Sequence, residues 1–254
     1  MSKELKTTIM HNNKAAKDIF ELTLLTEKGL NFEPGQFANI GVPDASLLLK
    51  RPLSINAYDT RTGIMTFIYK RVGKGTDALS KMAAGETVEI IAALGKGFPE
   101  LEAKKTVFLV GGGIGCAPLE SVMDAYPNHD YHTFFGFDTE KSIYHKQAFS
   151  DKSKTISFAT EDGSFDQKGF VTEPLLKALE ITKPDYLFAC GPTPMLKALK
   201  KAIETMDICA YVSVEERMGC GMGGCAVCAC KTTSGYKKAC VDGPVFPLSE
   251  VIFD

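Results

Sequence analysis

Short runs of alternating apolar and polar residues, rich in β-branched and aromatic side chains, fill the first hundred positions of the chain. Turn residues such as Glu33-Pro34-Gly35 and Thr62-Gly63 separate these runs. The pattern predicts a small antiparallel β-barrel, interrupted by a short helix over about residues 76–84. The six predicted strands cover residues 5–10, 18–26, 36–42, 51–57, 63–71 and 87–93.

The apolar pattern changes from about residue 101 onward. A continuous apolar strand, Lys105–Val110, is followed by a glycine-rich turn and a helical stretch that ends near Tyr126. Strands and helices then alternate up to about residue 212. This alternation is typical of a parallel sheet with helices on both faces, and such sheets bind ligands outside the carboxyl ends of their strands.

The change of pattern divides the chain into three parts. We predict a multi-domain β plus α/β fold: an antiparallel β-barrel domain over residues 1–100, a parallel-sheet domain over 101–212, and a cysteine-rich segment over 213–254. A length of 254 residues is sufficient for two separate cores.

The composition is that of a globular protein and disfavours several functional classes. Hydrophobic residues make up 44% of the chain and charged residues 24%. No apolar run reaches the ~18 residues of a membrane helix, and the first residues do not resemble a secretory signal, so we expect a cytoplasmic protein. A net charge of −2 gives no general attraction to nucleic acid.

Five of the eight cysteines lie in one glycine-rich stretch, Arg217–Cys240. Cys220, Cys225 and Cys228 have the C-x4-C-x2-C spacing of plant-type [2Fe-2S] proteins, in which four thiolates hold two irons. The glycines among them allow the backbone to curl with its N–H groups pointing inward. We therefore predict a [2Fe-2S] cluster with Cys240 as the fourth ligand.

Other interpretations of these cysteines remain open. A reducing cytosol disfavours a disulfide cluster. A four-cysteine zinc site usually shows two C-x2-4-C pairs. Cys225 and Cys228 supply one such pair, but Cys220 and the distal Cys240 do not form a second. Cys230 forms a C-x-C with Cys228 and is an alternative ligand; we interpret it as a small buried thiol. The short spacing before Cys240 argues against a ferredoxin domain.

Two motifs in the predicted barrel suit a ligand with phosphate groups. The run Arg51-Pro52-Leu53-Ser54 brings a guanidinium to a phosphate and a hydroxyl to a ring heteroatom if Pro52 bends the strand. The loop Val72–Thr76 opens a helix, where free N–H groups favour a phosphate. Taken alone, the Arg51 run is explained by an edge strand with an exposed arginine, and the Val72–Thr76 loop by a capping turn without a ligand. The presence of both motifs in one barrel favours a bound dinucleotide.

A third motif, Gly111–Pro118, joins the first strand of the parallel sheet to its helix. It departs from the G-x-G-x-x-G fingerprint because Cys116 occupies the third position, and only Asp138 stands as an acidic residue at the end of the second strand. We interpret it as a nicotinamide-nucleotide loop of a different kind. A tight strand-to-helix turn without a ligand is the alternative.

A second loop, Cys190–Met195, follows another strand at the same edge of the sheet, a position that suits contact of the Cys190 sulfur with a ligand; a small buried hydrophobic residue is the alternative. Cys116 and Cys209 are expected to be small buried hydrophobic residues. The four histidines show no ligand spacing, and we assign them no catalytic role: His11, His129, His132 and His145.

The order of the motifs over residues 1–212 resembles that of the ferredoxin-NADP reductase superfamily: the barrel, the arginine motif, the glycine loops and the C-G-P-x-P-M run. The tail E-E-R-M-G-C-G-x3-C-x2-C…C, from Glu215 to Cys240, narrows this resemblance. Over essentially its full length the chain resembles the electron-transfer subunits of NAD-dependent (class B) dihydroorotate dehydrogenase.

The resemblance implies three cofactor sites. FAD is implied with its pyrophosphate near Arg51 and the reactive edge of its ring near Ser54, and NAD is implied as an exchangeable acceptor that meets the flavin. The implied FAD residues are Arg51, Pro52, Leu53, Ser54, Ile68, Tyr69, Lys70, Gly75 and Thr76. The implied NAD residues are Gly111, Gly112, Gly113, Gly115, Cys190, Gly191 and Pro192, and the implied cluster ligands are Cys220, Cys225, Cys228 and Cys240.

The resemblance also implies a partner and a pathway. The partner is a catalytic subunit that contains FMN and oxidises dihydroorotate to orotate, in a heterotetramer with two copies of each chain that serves pyrimidine (UMP) biosynthesis. NAD exchanges a hydride and a cluster exchanges single electrons, so a flavin is needed to convert one into the other. The chain has no recognisable general-base motif, and we assign it no acid–base catalytic residue.

Two other functions remain open. Small subunits of NADH-dependent ferredoxin-NADP transhydrogenases and of sulfide dehydrogenases are similar in their first two domains, although in some of them an aspartate replaces one cluster cysteine. A non-catalytic flavin or cluster sensor belongs to a different class, and it would not oxidise NADH with any acceptor.

Overall fold

Two seven-stranded sheets form the framework of the chain in a computed structural model that describes residues 3–44 and 46–253. The first sheet is antiparallel and precedes residue 95, whereas the second is mainly parallel and follows residue 105. A two-stranded hairpin belongs to the cysteine-rich segment. Within the described ranges, no helix has the length and apolarity needed to cross a membrane.

The antiparallel sheet is the predicted barrel, open between its two edge strands. Its strands are β1 (Lys3–Ala16), β2 (Ile19–Leu25), β3 (Phe37–Ile40), β4 (Arg51–Ser54), β5 (Ala57–Asp59), β6 (Ile64–Lys70) and β7 (Thr87–Leu94), in the spatial order β4-β3-β7-β1-β2-β6-β5. The helix α1 spans Lys74–Leu79, so it begins and ends earlier than predicted.

Strand alternation explains how this half-barrel closes around its core. In β1, Leu5, Thr7 and Ile9 are buried while the residues between them are exposed, as expected when one face of a strand packs inward. The predicted strand 51–57 divides into β4 and β5 because the Ile55 and Asn56 N–H groups bond to carbonyls outside those strands.

The parallel sheet has helices between its strands, as predicted. Its elements are β8 (Thr106–Gly112), α2 (Cys116–Ala125), β9 (Asp130–Phe137), α3 (Lys146–Lys152), β10 (Thr155–Thr160), β11 (Gln167–Lys168), α4 (Thr172–Ile181), β12 (Tyr186–Cys190), α5 (Thr193–Ala202) and β13 (Ala210–Ser213). The order β11-β10-β9-β8-β12-β13 brings the ends of β8 and β12 side by side.

The cysteine-rich segment packs tightly against both domains. It contains a hairpin of β14 (Ala229–Thr232) and β15 (Gly235–Lys238), followed by β16 (Val245–Pro247), which pairs antiparallel with β13 at the edge of the parallel sheet. Cys228 and Cys240 share a buried cluster with Phe37 of the half-barrel and Val110 of β8. The segment is therefore built into the fold, because its apolar residues complete the core of its neighbours.

Candidate functional site

A cleft of about 490 Å³ lies between the half-barrel and the carboxyl edge of the parallel sheet. Its volume falls within the range of about 300–1,000 Å³ that is usual for ligand sites. Residues predicted separately for a flavin and for a nicotinamide nucleotide line this one cleft. They are Arg51, Pro52, Leu53, Ser54, Ile68, Tyr69, Lys70 and Thr76 on the barrel side, and Gly112, Gly113, Gly115, Cys190, Gly191 and Pro192 on the sheet side.

The guanidinium of Arg51 lies directly over Gly75 at the start of α1. A Cβ atom on Gly75 would come within 1.7 Å of Arg51 Nε, so the backbone must be glycine for the arginine to occupy this position. Arg51 Nη1 is buried and has no hydrogen-bond partner among the described residues. A buried guanidinium N–H without an acceptor is costly, so this cradle fits an anionic group such as the pyrophosphate of FAD.

Thr76 organises the loop that precedes α1. Its hydroxyl accepts the N–H groups of Val72 at 2.9 Å and Gly73 at 3.2 Å, and donates to the Gly73 carbonyl at 3.2 Å. These two N–H groups are therefore satisfied within the protein. Thr76 acts chiefly by shaping the loop that faces Arg51.

Strands β4 and β6 form the barrel wall of the cleft. Arg51 and Ser54 both line it although they are three residues apart, because β4 is a short edge strand that begins with Arg51-Pro52. Tyr69 is buried behind this wall, and its hydroxyl donates a hydrogen bond of 2.9 Å to Asn12 Oδ1. This hydrogen bond ties the wall to β1, the strand that contains Asn12.

Glycines allow the two loops of the parallel sheet to touch. A Cβ atom on Gly115 would lie 2.4 Å from the Cys190 carbonyl oxygen, and one on Gly191 would lie 3.0 Å from the Gly112 nitrogen. Gly113 has φ +54 and open space around its Cα. The predicted Gly111 lies behind the cleft, where a Cβ would meet Cys116 and Phe135. Packing therefore requires several of the glycines that the nucleotide motif contains.

Cys190 contributes a half-buried, neutral thiol to the sheet wall. Burial raises its pKa to about 12, opposed by a hydrogen bond with the Ser213 hydroxyl. Ser213 stands at the end of β13, also on the cleft wall. Sequence analysis missed Ser213, although its place at the carboxyl end of a parallel strand is the position from which such sheets bind ligands.

Several other residues line the cleft, although sequence analysis assigned them no cofactor-binding role. Met218 is the most informative, because it lines the cleft two residues before Cys220. Burial raises the pKa of Glu216, which also faces the cleft. Their position just after β13, a strand of the parallel sheet, was the feature of the sequence that could have marked them as cleft residues. The other missed lining residues include Phe37, Val214, Glu215 and Pro244.

A partly buried ionic network joins the two domains. His145, between β9 and α3, contacts Glu21 of β2 at 2.6 Å and Glu120 of α2 at 2.9 Å. Glu120 also accepts hydrogen bonds from Lys152 and from Asn56 of the half-barrel, each at 2.9 Å. Hydrogen bonds to the two carboxylates raise the pKa of His145 to about 9. The network ties the barrel to the helix that follows the glycine loop.

The cysteine loop directs backbone N–H groups at its sulfur atoms. Met222 and Gly224 donate to Cys220 Sγ at 3.4 and 3.2 Å, and the Cys220 N–H donates to Cys225 Sγ at 3.3 Å. The Met222 hydrogen bond is the largest of the effects that lower the pKa of Cys220 to about 6. The same donors suit the negative charge of thiolates that bind iron.

The four predicted ligands form two pairs. Cys228 and Cys240 are buried with their sulfurs 3.2 Å apart, while Cys220 and Cys225 lie together in the more exposed loop. Across residues 3–44 and 46–253, no three His, Cys, Asp or Glu side chains converge as ligands of a single metal ion. Two sulfur pairs fit a cluster of two irons better than a single zinc ion.

Comparison with known proteins agrees with this geometry. Residues 215–252 match the family model of the iron-sulfur cluster binding domain of dihydroorotate dehydrogenase B, and residues 109–201 match an oxidoreductase NAD-binding domain. The electron transfer subunit of NAD+-dependent dihydroorotate dehydrogenase B from Geobacillus sp. (strain WCH70) is 40% identical over 265 residues, which cover 99% of this chain and 100% of that protein. The chain belongs to this family of electron transfer subunits.

Further relatives extend the family assignment. The same subunit from Shouchella clausii (strain KSM-K16) is 38% identical over 98% of both chains. A solved structure of an NADH-dependent reduced ferredoxin-NADP oxidoreductase has a TM-score of 0.86 and 28% identity, covering 98% of this chain and 90% of that one. Phthalate dioxygenase reductase, with a TM-score of 0.69 and 18% identity over 91% and 87% of the two chains, shares the fold.

Cys230 forms its hydrogen bond with the hairpin backbone, unlike the four predicted ligands. Its thiol donates to the Lys237 carbonyl across the hairpin at 3.4 Å and lines a separate small cavity together with Glu216. Burial raises its pKa. The geometry favours the interpretation of Cys230 as a buried thiol, and the ligand set itself stays a prediction.

Proposed function

We propose that the chain carries electrons between a dihydroorotate-oxidising catalytic subunit and NAD+, through a [2Fe-2S] cluster and FAD. One observation supports this most directly. The flavin-type wall and the nicotinamide-type loops line the same cleft, and Met218 in that cleft stands two residues from Cys220. NAD, FAD and the [2Fe-2S] cluster would therefore lie close enough to one another to exchange electrons.

Arg51 is proposed to hold the FAD pyrophosphate, with Gly75 making room for its guanidinium and Thr76 shaping the adjacent loop. The unpaired, buried Nη1 of Arg51 would gain an acceptor there, and Gly75 keeps the space open. Ser54, Ile68, Tyr69 and Lys70 line the region where the ring would lie. These residues orient the cofactor and exclude water around it.

The loops after β8 and β12 are proposed to hold NAD with its nicotinamide toward the barrel wall. Gly113 faces open space, and Cys190 presents a neutral thiol held by Ser213. When bound, flavin converts between the hydride of NAD and the single electrons of a [2Fe-2S] cluster. The protein's own part is to bring these groups together and keep them in position.

The cysteine loop is proposed to face the catalytic subunit. Cys225 is exposed, and three exposed apolar side chains stand in the same segment: Met222, Val227 and Val241, which are 55%, 55% and 45% exposed. Exposed apolar groups around an electron-transfer loop favour a protein partner. We propose that this partner contains FMN, that the complex is a heterotetramer, and that it acts in UMP biosynthesis in the cytoplasm.

The decisive experiment is to purify the chain with the protein that accompanies it and to supply dihydroorotate and NAD+. We expect orotate and NADH to form in equal amounts with the pair, and neither to form with the isolated chain. The isolated chain should reduce a dye with NADH. If the isolated chain retains FAD and the cluster but does not reduce the dye, the result would favour a non-catalytic redox sensor. If the chain and its partner together leave dihydroorotate unoxidised, the proposed reaction is excluded.

A second candidate rests on the full-length similarity to an NADH-dependent reduced ferredoxin-NADP oxidoreductase. It predicts that the complex exchanges electrons with reduced ferredoxin and NADP+. The higher identity and equal length of the dihydroorotate dehydrogenase B relatives favour the first function. Assays of the purified complex with each substrate pair distinguish the two.

A further inference from the structure

Strand β3 connects the barrel wall of the cleft to the cysteine loop. It pairs antiparallel with β4, so that Phe37 stands opposite Ser54 and Asn39 opposite Pro52. Phe37 lines the cleft and belongs to the same buried cluster as Cys228 and Cys240. One short strand therefore touches both the proposed flavin site and the proposed cluster site.

Asn39 makes the polar contact between this strand and the loop. Its side chain is 2% exposed, and Nδ2 donates a hydrogen bond of 3.1 Å to the carbonyl oxygen of Cys220. Its Oδ1 is buried and has no partner among the described residues. A half-satisfied amide inside a sheet core costs stability that an apolar side chain would not. Packing alone therefore does not explain an asparagine at this position.

The loop is shaped to accept this amide. Gly221 follows Cys220 with φ +70, and a Cβ atom there would lie 2.0 Å from Asn39 Nδ2 and 2.8 Å from its Cγ. Any larger residue at 221 would push the loop away from β3. Asn39 and Gly221 thus form one fitted contact between the two sites.

We propose that Asn39 is a positioning residue, which holds the first cluster cysteine at a set distance from the flavin strand. It acts through the Cys220 backbone and touches neither cofactor. Electron transfer slows steeply as the gap between two centres widens, so a displaced loop would slow the step between cluster and flavin. This inference rests on the proposed function.

The test replaces Asn39 by leucine, which keeps the size and removes the donor. The loaded complex is mixed rapidly with NADH, and flavin bleaching and the cluster's electron paramagnetic resonance signal are followed separately. We expect Asn39→Leu to leave flavin reduction unchanged and to slow cluster reduction several-fold, because the loop that carries Cys220 loses its hydrogen bond to β3 and shifts. The matched control is Asn13→Leu, at an exposed position of β1.

Each result bears on the proposal. Equal cluster reduction rates and identical spectra in wild type and Asn39→Leu would overturn it. Loss of the cluster from Asn39→Leu alone, with FAD retained, would support it. If NADH fails to reduce the flavin in the wild type, the proposed function is wrong. The role of Asn39 is then tested by the spectrum of the dithionite-reduced cluster in Asn39→Leu. A spectrum altered from that of the wild type supports the proposal, and an unchanged spectrum overturns it.

A second variant tests the same contact without changing a residue of β3. Gly221→Ala alters the loop from its own side, and we compare its cluster content with that of Asn39→Ala and of the double variant. If the side chains meet as described, the effect of Gly221→Ala will be smaller when Asn39 is already alanine, because the clash is gone. An equal effect in both backgrounds would reflect backbone strain alone and would contradict the fitted contact.

Discussion

At the scale of single residues, the cleft depends on contacts between distant parts of the chain, and the cysteine loop depends on hydrogen bonds within itself. Arg51 needs Gly75, Cys190 is held by Ser213, and Cys220 receives N–H groups from its own loop. Substitutions at these positions should therefore affect one cofactor each. Measuring each cofactor's content separately reveals which contact a variant has lost.

Replacing Arg51 by glutamine should weaken FAD binding about 10- to 100-fold, the range expected when a charge-assisted hydrogen bond is lost. Titration of the FAD-depleted protein with FAD, followed by fluorescence, measures this effect. Arg61→Gln is the control because the Arg61 side chain is 90% exposed. Equal affinity in both variants would place the pyrophosphate elsewhere.

Cys240→Ser should abolish a stable cluster, whereas Cys230→Ser should retain it. The Cys240 sulfur lies 3.2 Å from Cys228 Sγ, while Cys230 bonds to the hairpin backbone. Visible absorbance per iron and iron content after anaerobic reconstitution measure the outcome. Loss of absorbance in both variants to the same degree would show that the ligand set is wrong.

At the scale of elements, the ionic network around His145 joins β2, α2 and the segment before α3. Raising the pKa of His145 to about 9 means that the folded chain holds a proton that an unfolded histidine releases at its ordinary value of about 6.5. The stabilisation is fully present below about pH 6.5 and is lost as the pH rises through 9. Glu120 acts oppositely: it stabilises above about pH 4.5, and this is lost as the pH falls toward its pKa of about 2.

His145→Asn should therefore lower the free energy of unfolding by about 1–2 kcal/mol near pH 6, allowing for partial exposure to solvent, and by much less near pH 10. Asparagine suits the position because His145 has φ +48, a left-handed conformation. Urea unfolding midpoints across this pH range give the comparison. A difference that does not change with pH would mean that His145 stabilises the fold by packing and not by charge.

At the scale of the whole molecule, the exposed loop around Cys225 is the proposed docking face for the catalytic subunit. Val227→Asp puts a charge on this face and should weaken binding of the catalytic subunit about tenfold. Ile181→Asp is the control, because Ile181 is 86% exposed at the end of α4. Binding is measured with the purified subunits, and equal affinity of the two variants would exclude this face.

The same face predicts protection of the cluster. Air should bleach the visible absorbance of the cluster more slowly in the complex than in the isolated chain, because the partner covers Cys225 and its surroundings. The rate of bleaching, compared at equal cluster content, measures this. An unchanged rate would argue against docking at the cysteine loop.

Much of the architecture was predictable because it depends on local patterns. Period-two runs predicted the antiparallel half-barrel, and alternating strands and helices predicted the parallel sheet. The split of β4 from β5 was not predictable, since the N–H groups of Ile55 and Asn56 bond to the carbonyls of the distant residues Gln36 and Thr66. The same holds for β16, whose apolar residues pair with the distant β13.

The sequence by itself determined the kinds of chemistry in this protein. The spacing of Cys220, Cys225 and Cys228 and the glycine loops specify them, because ligand spacing and backbone freedom are properties of short segments. Only the tertiary structure decided which segments meet. Arg51 reaches Gly75, and Asn39 reaches Cys220 across 181 positions of sequence, because packing of distant apolar surfaces brings them together.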